Sequence, residues 1–140
     1  MSSSAEIVLI PEEGVSMVWS IAAPLLKKGV DRTRKISLNS LHDSMCEGMM
    51  QLWLAYDPDD KQVLAACATE IVTYESGYRT VRILILGGFD VNRWSGCIAT
   101  IEEWALYEGC DAVEIAGRAG WGRIYEDYQP IEHWFAKEIN

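Results

Sequence analysis

At 140 residues, about half of them hydrophobic and six of them tryptophan, the chain is long and apolar enough to bury a core, which excludes a disordered polypeptide. Its formal charge of -9 excludes a surface built to neutralise nucleic-acid phosphates, which needs clustered Lys and Arg. The acidity either keeps the domain soluble or imitates nucleic acid.

No apolar run approaches the roughly 18 residues that span a bilayer. Met1-Ser2-Ser3-Ser4 lacks the basic and apolar regions of a signal peptide, so residues 1–4 read as a polar tail and residues 5–140 as one domain. Ile7-Val8-Leu9-Ile10 reads as a short buried strand. Pro11 suits the first turn of a helix, and Glu12 and Glu13 complement its dipole. Val15, Val18, Trp19, Ala22, Leu25 and Leu26 form the apolar stripe of that helix. Pro24 is expected to bend it and Lys27-Lys28-Gly29 to close it, with residues 31–35 as a loop. Ser37 caps a second helix, whose Leu38, Leu41 and Met45 share a face before Gly48 stops it. His42 lies on this helix beside Asp43, and with no second ligand or base nearby in sequence it reads as solvent-facing.

Residues 50–56 and 62–74 read as two strands joined by the turn Asp57-Pro58-Asp59-Asp60. The second strand is small-side-chained through Ala65-Ala66-Cys67-Ala68, so a helix or a ligand is expected to pack closely there. Residues 74–78 make a second hairpin connection.

The stretch 79–117 organises the chain. Val81-Arg82-Ile83-Leu84-Ile85-Leu86 is apolar on both faces and reads as a buried strand ending at Gly87-Gly88. Val91, Trp94, Ile98, Ile101 and Ala105 fall three or four apart, which predicts a helix over 91–107 with Glu102, Glu103 and Glu108 on its other side. Gly109 stops it, and residues 112–116 form a strand, completing a βαβ crossover. The turn at Gly87-Gly88 either lets backbone amides cradle a phosphate or is a plain strand-to-helix turn capped by Asp90. Three glycines between 117 and 122 point to a loop and about two helical turns, and residues 131–139 to a last edge strand.

Cys46, Cys67, Cys97 and Cys110 have neither a C-x-x-C pair nor a His at zinc spacing, so no metal site is expected and they read as small core residues in a reducing compartment. Glu70 interrupts an apolar strand: it is either a general base or a carboxylate paired with Arg82 or Arg79 on the neighbouring strand. Glu114 has the same two readings. Arg118 and Arg123 either bind an anion or hold the acidic surface together.

The order strand, helix, helix, three antiparallel strands, helix, strand, short helix, strand resembles the GNAT N-acetyltransferase fold, an α+β class with a mixed, mostly antiparallel central sheet flanked by helices. Met50-Gln51-Leu52-Trp53-Leu54, Ala68-Thr69-Glu70-Ile71, Arg82-Ile83-Leu84-Ile85-Leu86-Gly87-Gly88 and Gly117-Arg118-Ala119-Gly120-Trp121 resemble small GNAT-like proteins of tailed bacteriophages and prophages. Active members of the fold hold the acetyl-CoA pyrophosphate on a Q/R-x-x-G-x-G/A loop. The nearest match is Arg93-Trp94-Ser95-Gly96-Cys97-Ile98, where Arg93 and Gly96 fit while Ile98 stands at a small-residue position, so the loop reads as degraded. Ile124-Tyr125-Glu126 resembles the family's late-helix motif, whose tyrosine protonates the departing CoA thiolate.

Two functions follow from the resemblance. In the first, the chain is a non-catalytic virion component, structural or associated with ejection. It needs no cofactor and contacts other virion proteins or itself through Trp121 and Trp134, without nucleic acid or membrane, in the virion or the host cytoplasm. In the second it is an acetyl-CoA-dependent N-acetyltransferase. Gly87, Gly88, Arg93 and Gly96 then hold the cofactor, Glu70 serves as base and Tyr125 as acid.

Overall fold

The computed structural model describes residues 5–117 and 120–139; the expected tail over 1–4, and Arg118, lie outside the described residues. Five strands form one sheet in sequence order: β1 (Glu6–Ile10), β2 (Gln51–Tyr56), β3 (Val63–Thr73), β4 (Arg79–Gly88) and β5 (Ala112–Ile115). β1 to β4 pair antiparallel and β5 joins β4 in parallel, so the fold is mixed α+β with a mostly antiparallel sheet.

Side-chain alternation along the strands loads both faces of the sheet. Leu52, Leu54, Ala66 and Ala68 face α1 (Val15–Thr33) and α2 (Leu38–Cys46), where Ala22, Leu26, Leu41 and Met45 are buried against them. A fully buried Leu such as Leu26 or Leu52 stabilises the fold by about 1.5–3 kcal/mol. The other face carries Trp53, Cys67, Val81 and Ile83 under Ile98, Ile101 and Ala105 of α4 (Ile98–Tyr107). Trp53 Nε1 donates to Thr69 Oγ1 at 3.0 Å and Thr69 Oγ1 donates to Gln51 Oε1 at 2.8 Å, so these three polar groups are paired across strands.

The small stretch of β3 is covered on both sides, as its composition requires: Trp94 packs on Ala65, while Ala22 and Leu26 pack with Ala66 and Ala68. Ser37 caps α2 through the Ser40 amide, and Gly48 and Gly109 stand at φ 78° and 76°, the left-handed conformation that ends a helix.

Five sequence expectations change. α1 does not close at Gly29 but continues through Pro24 and the expected loop to Thr33, ending on a left-handed Arg34. Gly29 is there because a Cβ would lie 2.8 Å from Ile85 Cγ2, so the glycine sets how closely α1 approaches β4. β1 is an edge strand with Val8 and Leu9 partly exposed, since only β2 pairs with it. The helix over 91–107 is broken into α3 (Val91–Trp94), a 3-10 turn over Ser95–Cys97, and α4, because Ser95 and Gly96 are weak helix formers. Asp90 adopts φ 55° and makes no cap; its carboxylate pairs with Arg93 instead. Residues 131–139 are irregular and exposed, not a strand. As a strand they would put Ile131, Phe135 and Ile139 on one face with His133 and Lys137 between them, and Trp134 on the other among Glu132 and Glu138, so neither face is apolar enough to be buried on the sheet.

Candidate functional site

β4 stays paired with β3 to Gly88, but β5 follows β4 only from Thr80 to Ile83. The separation has a local cause. Ala68 pairs with Ile85 and Thr69 with Ile83, so Leu84 is an extra residue that bends β4 at the point where β5 ends. Beyond it, Gly87 and Gly88 are required by the chain's own backbone: a Cβ on Gly87 would meet the Leu25 carbonyl at 2.2 Å, and one on Gly88 the Leu64 carbonyl at 2.3 Å. Leu86, Cys97 and Trp121 pack around Trp94 next to this segment.

The segment matching the pyrophosphate loop spans the end of α3, the 3-10 turn and the first residue of α4. Arg93 is paired with two carboxylates: its Nη2 donates to Asp57 Oδ2 at 2.5 Å and its Nη1 lies 3.7 Å from Asp90 Oδ2. Asp57 is held below the usual carboxylate range, chiefly by the Asp59 amide it accepts from and then by Arg93, against partial desolvation. Gly96 has open space where a Cβ would stand. A shallow groove of about 530 Å³ opens there, lined by Gly96, Cys97 and Thr100 on one side and by Ala5, Glu6 and Ile7 on the other. Glu6 therefore puts a carboxylate in front of the turn; burial and that charge both push the Cys97 thiol up. A diphosphate approaching this turn would meet Glu6, with Arg93 already paired to Asp57 and Asp90.

Tyr125, just beyond α5 (Gly120–Ile124), is 8% exposed among Trp121, Tyr128 and the sheet, and its hydroxyl has no hydrogen-bond partner among the described residues. Burial raises its pKa, and Cys67, Cys97 and Glu102 raise it further. The hydroxyl is therefore neutral and a weaker acid than a free phenol.

Glu70 lies 3.6 Å from Arg82 on the neighbouring strand, the pairing that the sequence offered as its second reading. Glu114 belongs to the same network: it accepts from Tyr74 Oη at 2.9 Å and Thr80 Oγ1 at 3.1 Å and stands 3.5 Å from Arg82 Nε. Burial works against the charge on Arg82, but the Tyr74 hydroxyl and the two carboxylates outweigh it and raise its pKa. No group of three His, Cys, Asp or Glu side chains among the described residues is placed to hold a metal.

Trp121 is half-buried against Trp94 and Tyr125, not an exposed anchor. Arg123 and Ile124 are exposed and line a shallow groove of about 270 Å³ with Trp121. Trp134 is 79% exposed, with Ile131 at 71%, Phe135 at 93% and Ile139 at 90%. Two surface contacts hold this segment to the corner after α1: Arg34 Nη1 with Glu138 Oε2 at 2.5 Å, and Lys35 Nζ 4.8 Å from the Trp134 ring centroid. His42, read as solvent-facing, is mostly covered and touches Ser16 and Cys46. The His42–Cys46 spacing of four was the available signal.

No protein-family model and no curated protein matches the chain. Solved structures do match over nearly its whole length. The ribosomal-protein-alanine N-acetyltransferase from Brucella melitensis biovar Abortus is 11% identical with a TM-score of 0.64, over 97% of this chain and 98% of that one. A predicted acetyltransferase from Clostridium acetobutylicum, solved with acetyl-CoA, is 12% identical with a TM-score of 0.64, over 96% of both chains. A GNAT family acetyltransferase from Staphylococcus aureus is 15% identical with a TM-score of 0.61, over 97% of this chain and 99% of that one. The bent β4, the parallel β5 that leaves it, and the helix between them thus form a GNAT-like acetyltransferase fold.

Proposed function

We propose that this chain is a GNAT-fold protein of a tailed bacteriophage that acts through protein contacts as a virion component, without acetyl-CoA chemistry. The observation that carries the reading is the charge at the start of α4. Glu6 lines the groove in front of Gly96 and Cys97, and Arg93 is committed to Asp57 and Asp90. An anion would have to break that pairing and face a carboxylate. The contact surface is the exposed segment of Ile131, Trp134, Phe135 and Ile139, where large apolar side chains stand in water and can supply interface anchors. The phage assignment rests on the resemblance of the four segments quoted above.

The test is incorporation. Wild-type chain and a Trp134→Ala, Phe135→Ala double variant are supplied to a phage deleted for the gene, and purified particles are assayed by quantitative mass spectrometry. The wild-type chain is expected in the particles and the variant depleted at least about tenfold, the effect of removing two central anchors. Absence of the wild-type chain from particles would overturn the virion assignment.

A second reading, an acetyl-CoA-dependent N-acetyltransferase, is favoured by one observation, the buried Tyr125 hydroxyl without a partner. In that reading Tyr125 holds the proton for a departing thiolate, Gly96 offers the open approach to the cofactor, and Glu70 must leave Arg82 to act as base.

A further inference from the structure

We propose that Cys46 is a thiol-exchange site whose proton acceptor is His42, competent to form a mixed disulfide with a small disulfide from solution. It lies away from the groove at α4, where the first turn of α1 meets the last turn of α2. His42 and Cys46 are four apart and share one face of α2, which puts Nε2 3.6 Å from the sulfur. Ser16 Oγ, from α1, stands 3.0 Å from the same nitrogen and 3.6 Å from the sulfur. On the far side of the ring, Nδ1 is 3.3 Å from Asp43 Oδ1. A carboxylate there favours the tautomer with its proton on Nδ1, so Nε2 keeps its lone pair toward Cys46 and Ser16. The Trp19 ring meets the imidazole edge-on at 5.0 Å and fixes its orientation from α1. The His42 side chain is 27% exposed and Cys46 is half-buried, so a small molecule can reach the sulfur.

The other thiols lack this arrangement. Cys67 and Cys110 are buried, and burial pushes the Cys67 thiol up. The Cys97 S–H donates to the Ala5 carbonyl at 3.2 Å. Around Cys46, the positive end of α1 and the negative end of α2 stand side by side and their fields oppose each other. The nearby charges are Asp43 on α2 and Glu12, whose carboxylate lies against Gly48 just past the helix end. Neither is a cation, so the proton moves to His42 as the new bond forms. The Cys46 sulfur bonds to one sulfur of the disulfide while that S–S bond breaks. His42 Nε2 takes the thiol proton and gives it to a basic departing thiolate, or to water where the departing sulfur is stable as a thiolate. Cys46 is oxidised and the departing half is reduced, with the disulfide as the oxidant.

The experiment mixes the full, reduced chain with a chromogenic aromatic disulfide at pH 7 and follows release of the coloured thiolate. Mass spectrometry locates the first cysteine labelled, on the unaltered chain. Cys46 is expected to carry the fast label, Cys46→Ser to abolish the fast phase, and His42→Asn to slow it at least about tenfold at unchanged helix content. First label at another cysteine, or a fast phase surviving in Cys46→Ser, overturns the proposal. A wild-type rate in His42→Asn does so too, because Cys46 is then an accessible thiol and nothing more.

Discussion

Glycines 87, 88 and 96 show how one residue type serves opposite ends at neighbouring positions. Gly87 and Gly88 look like a phosphate cradle in the sequence, yet each is pressed against a backbone carbonyl of its own chain, while Gly96 opens onto a groove. Gly88→Ala is therefore expected to destabilise the fold by about 1–3 kcal/mol, as overpacking does, whereas Gly96→Ala should be neutral or slightly stabilising; urea unfolding separates the two. Tyr125 makes a second prediction at this scale. Its hydroxyl is desolvated without a partner, so Tyr125→Phe should hold or raise stability, by up to about 1 kcal/mol, where a hydrogen-bonded tyrosine would lose it. Tyr128, whose hydroxyl donates to Glu102 at 2.6 Å, has its pKa raised by burial and by that carboxylate. A raised phenol favours the fold while protonated. That contribution is complete below the unfolded tyrosine value of about 10 and is lost as pH climbs above it. The urea midpoint should thus begin to fall above about pH 8.5, as the fold opposes ionisation of the Cys67 and Cys97 thiols, and fall more steeply above about pH 10, where Tyr125 and Tyr128 add to the loss. Tyr128→Phe should flatten that steeper fall.

At the scale of elements, what was legible was whatever carried a period or a cap. Ser37, Gly48 and Gly109 end their helices where the sequence placed them, and the stripe of Trp94, Ile98, Ile101 and Ala105 is buried although its helix is broken. What was not legible depended on contacts between distant elements. Gly29 reads as a helix stop until Ile85 is seen 2.8 Å from its missing Cβ, and β1 reads as buried until its one neighbour is known. The site was legible only in part for the same reason. The spacing Arg93 to Gly96 was visible, but Asp57 and Glu6, which change what that spacing can bind, come from elsewhere in the chain. Residues 131–139 have strand-like composition but no face to bury. Among the described residues the exposed Arg34–Glu138 pair and the Lys35–Trp134 contact hold them, each contributing up to about 1 kcal/mol. Deleting residues 131–140 should lower the unfolding free energy by no more than about 2 kcal/mol, and limited proteolysis of the intact chain should cut in this segment first.

For the molecule as a whole, the fold and the chemistry separate. A bent β4, a parallel β5 and a helix between them build a GNAT-like frame, and in the proposed function the charges at the start of α4, Glu6 and the paired Arg93, oppose an anion there. No described helix is long and apolar enough to cross a membrane, and the net charge of -9 reinforces the local repulsion of anions at low salt. Calorimetric titration with acetyl-CoA tests this most directly, with Gly96→Asp as the comparison because its side chain enters open space. The account predicts no binding heat for either chain at ligand concentrations up to about 1 mM, corresponding to an affinity weaker than about -4 kcal/mol. Micromolar binding by the wild-type chain that Gly96→Asp abolishes would contradict it and make the fold a working acetyltransferase frame.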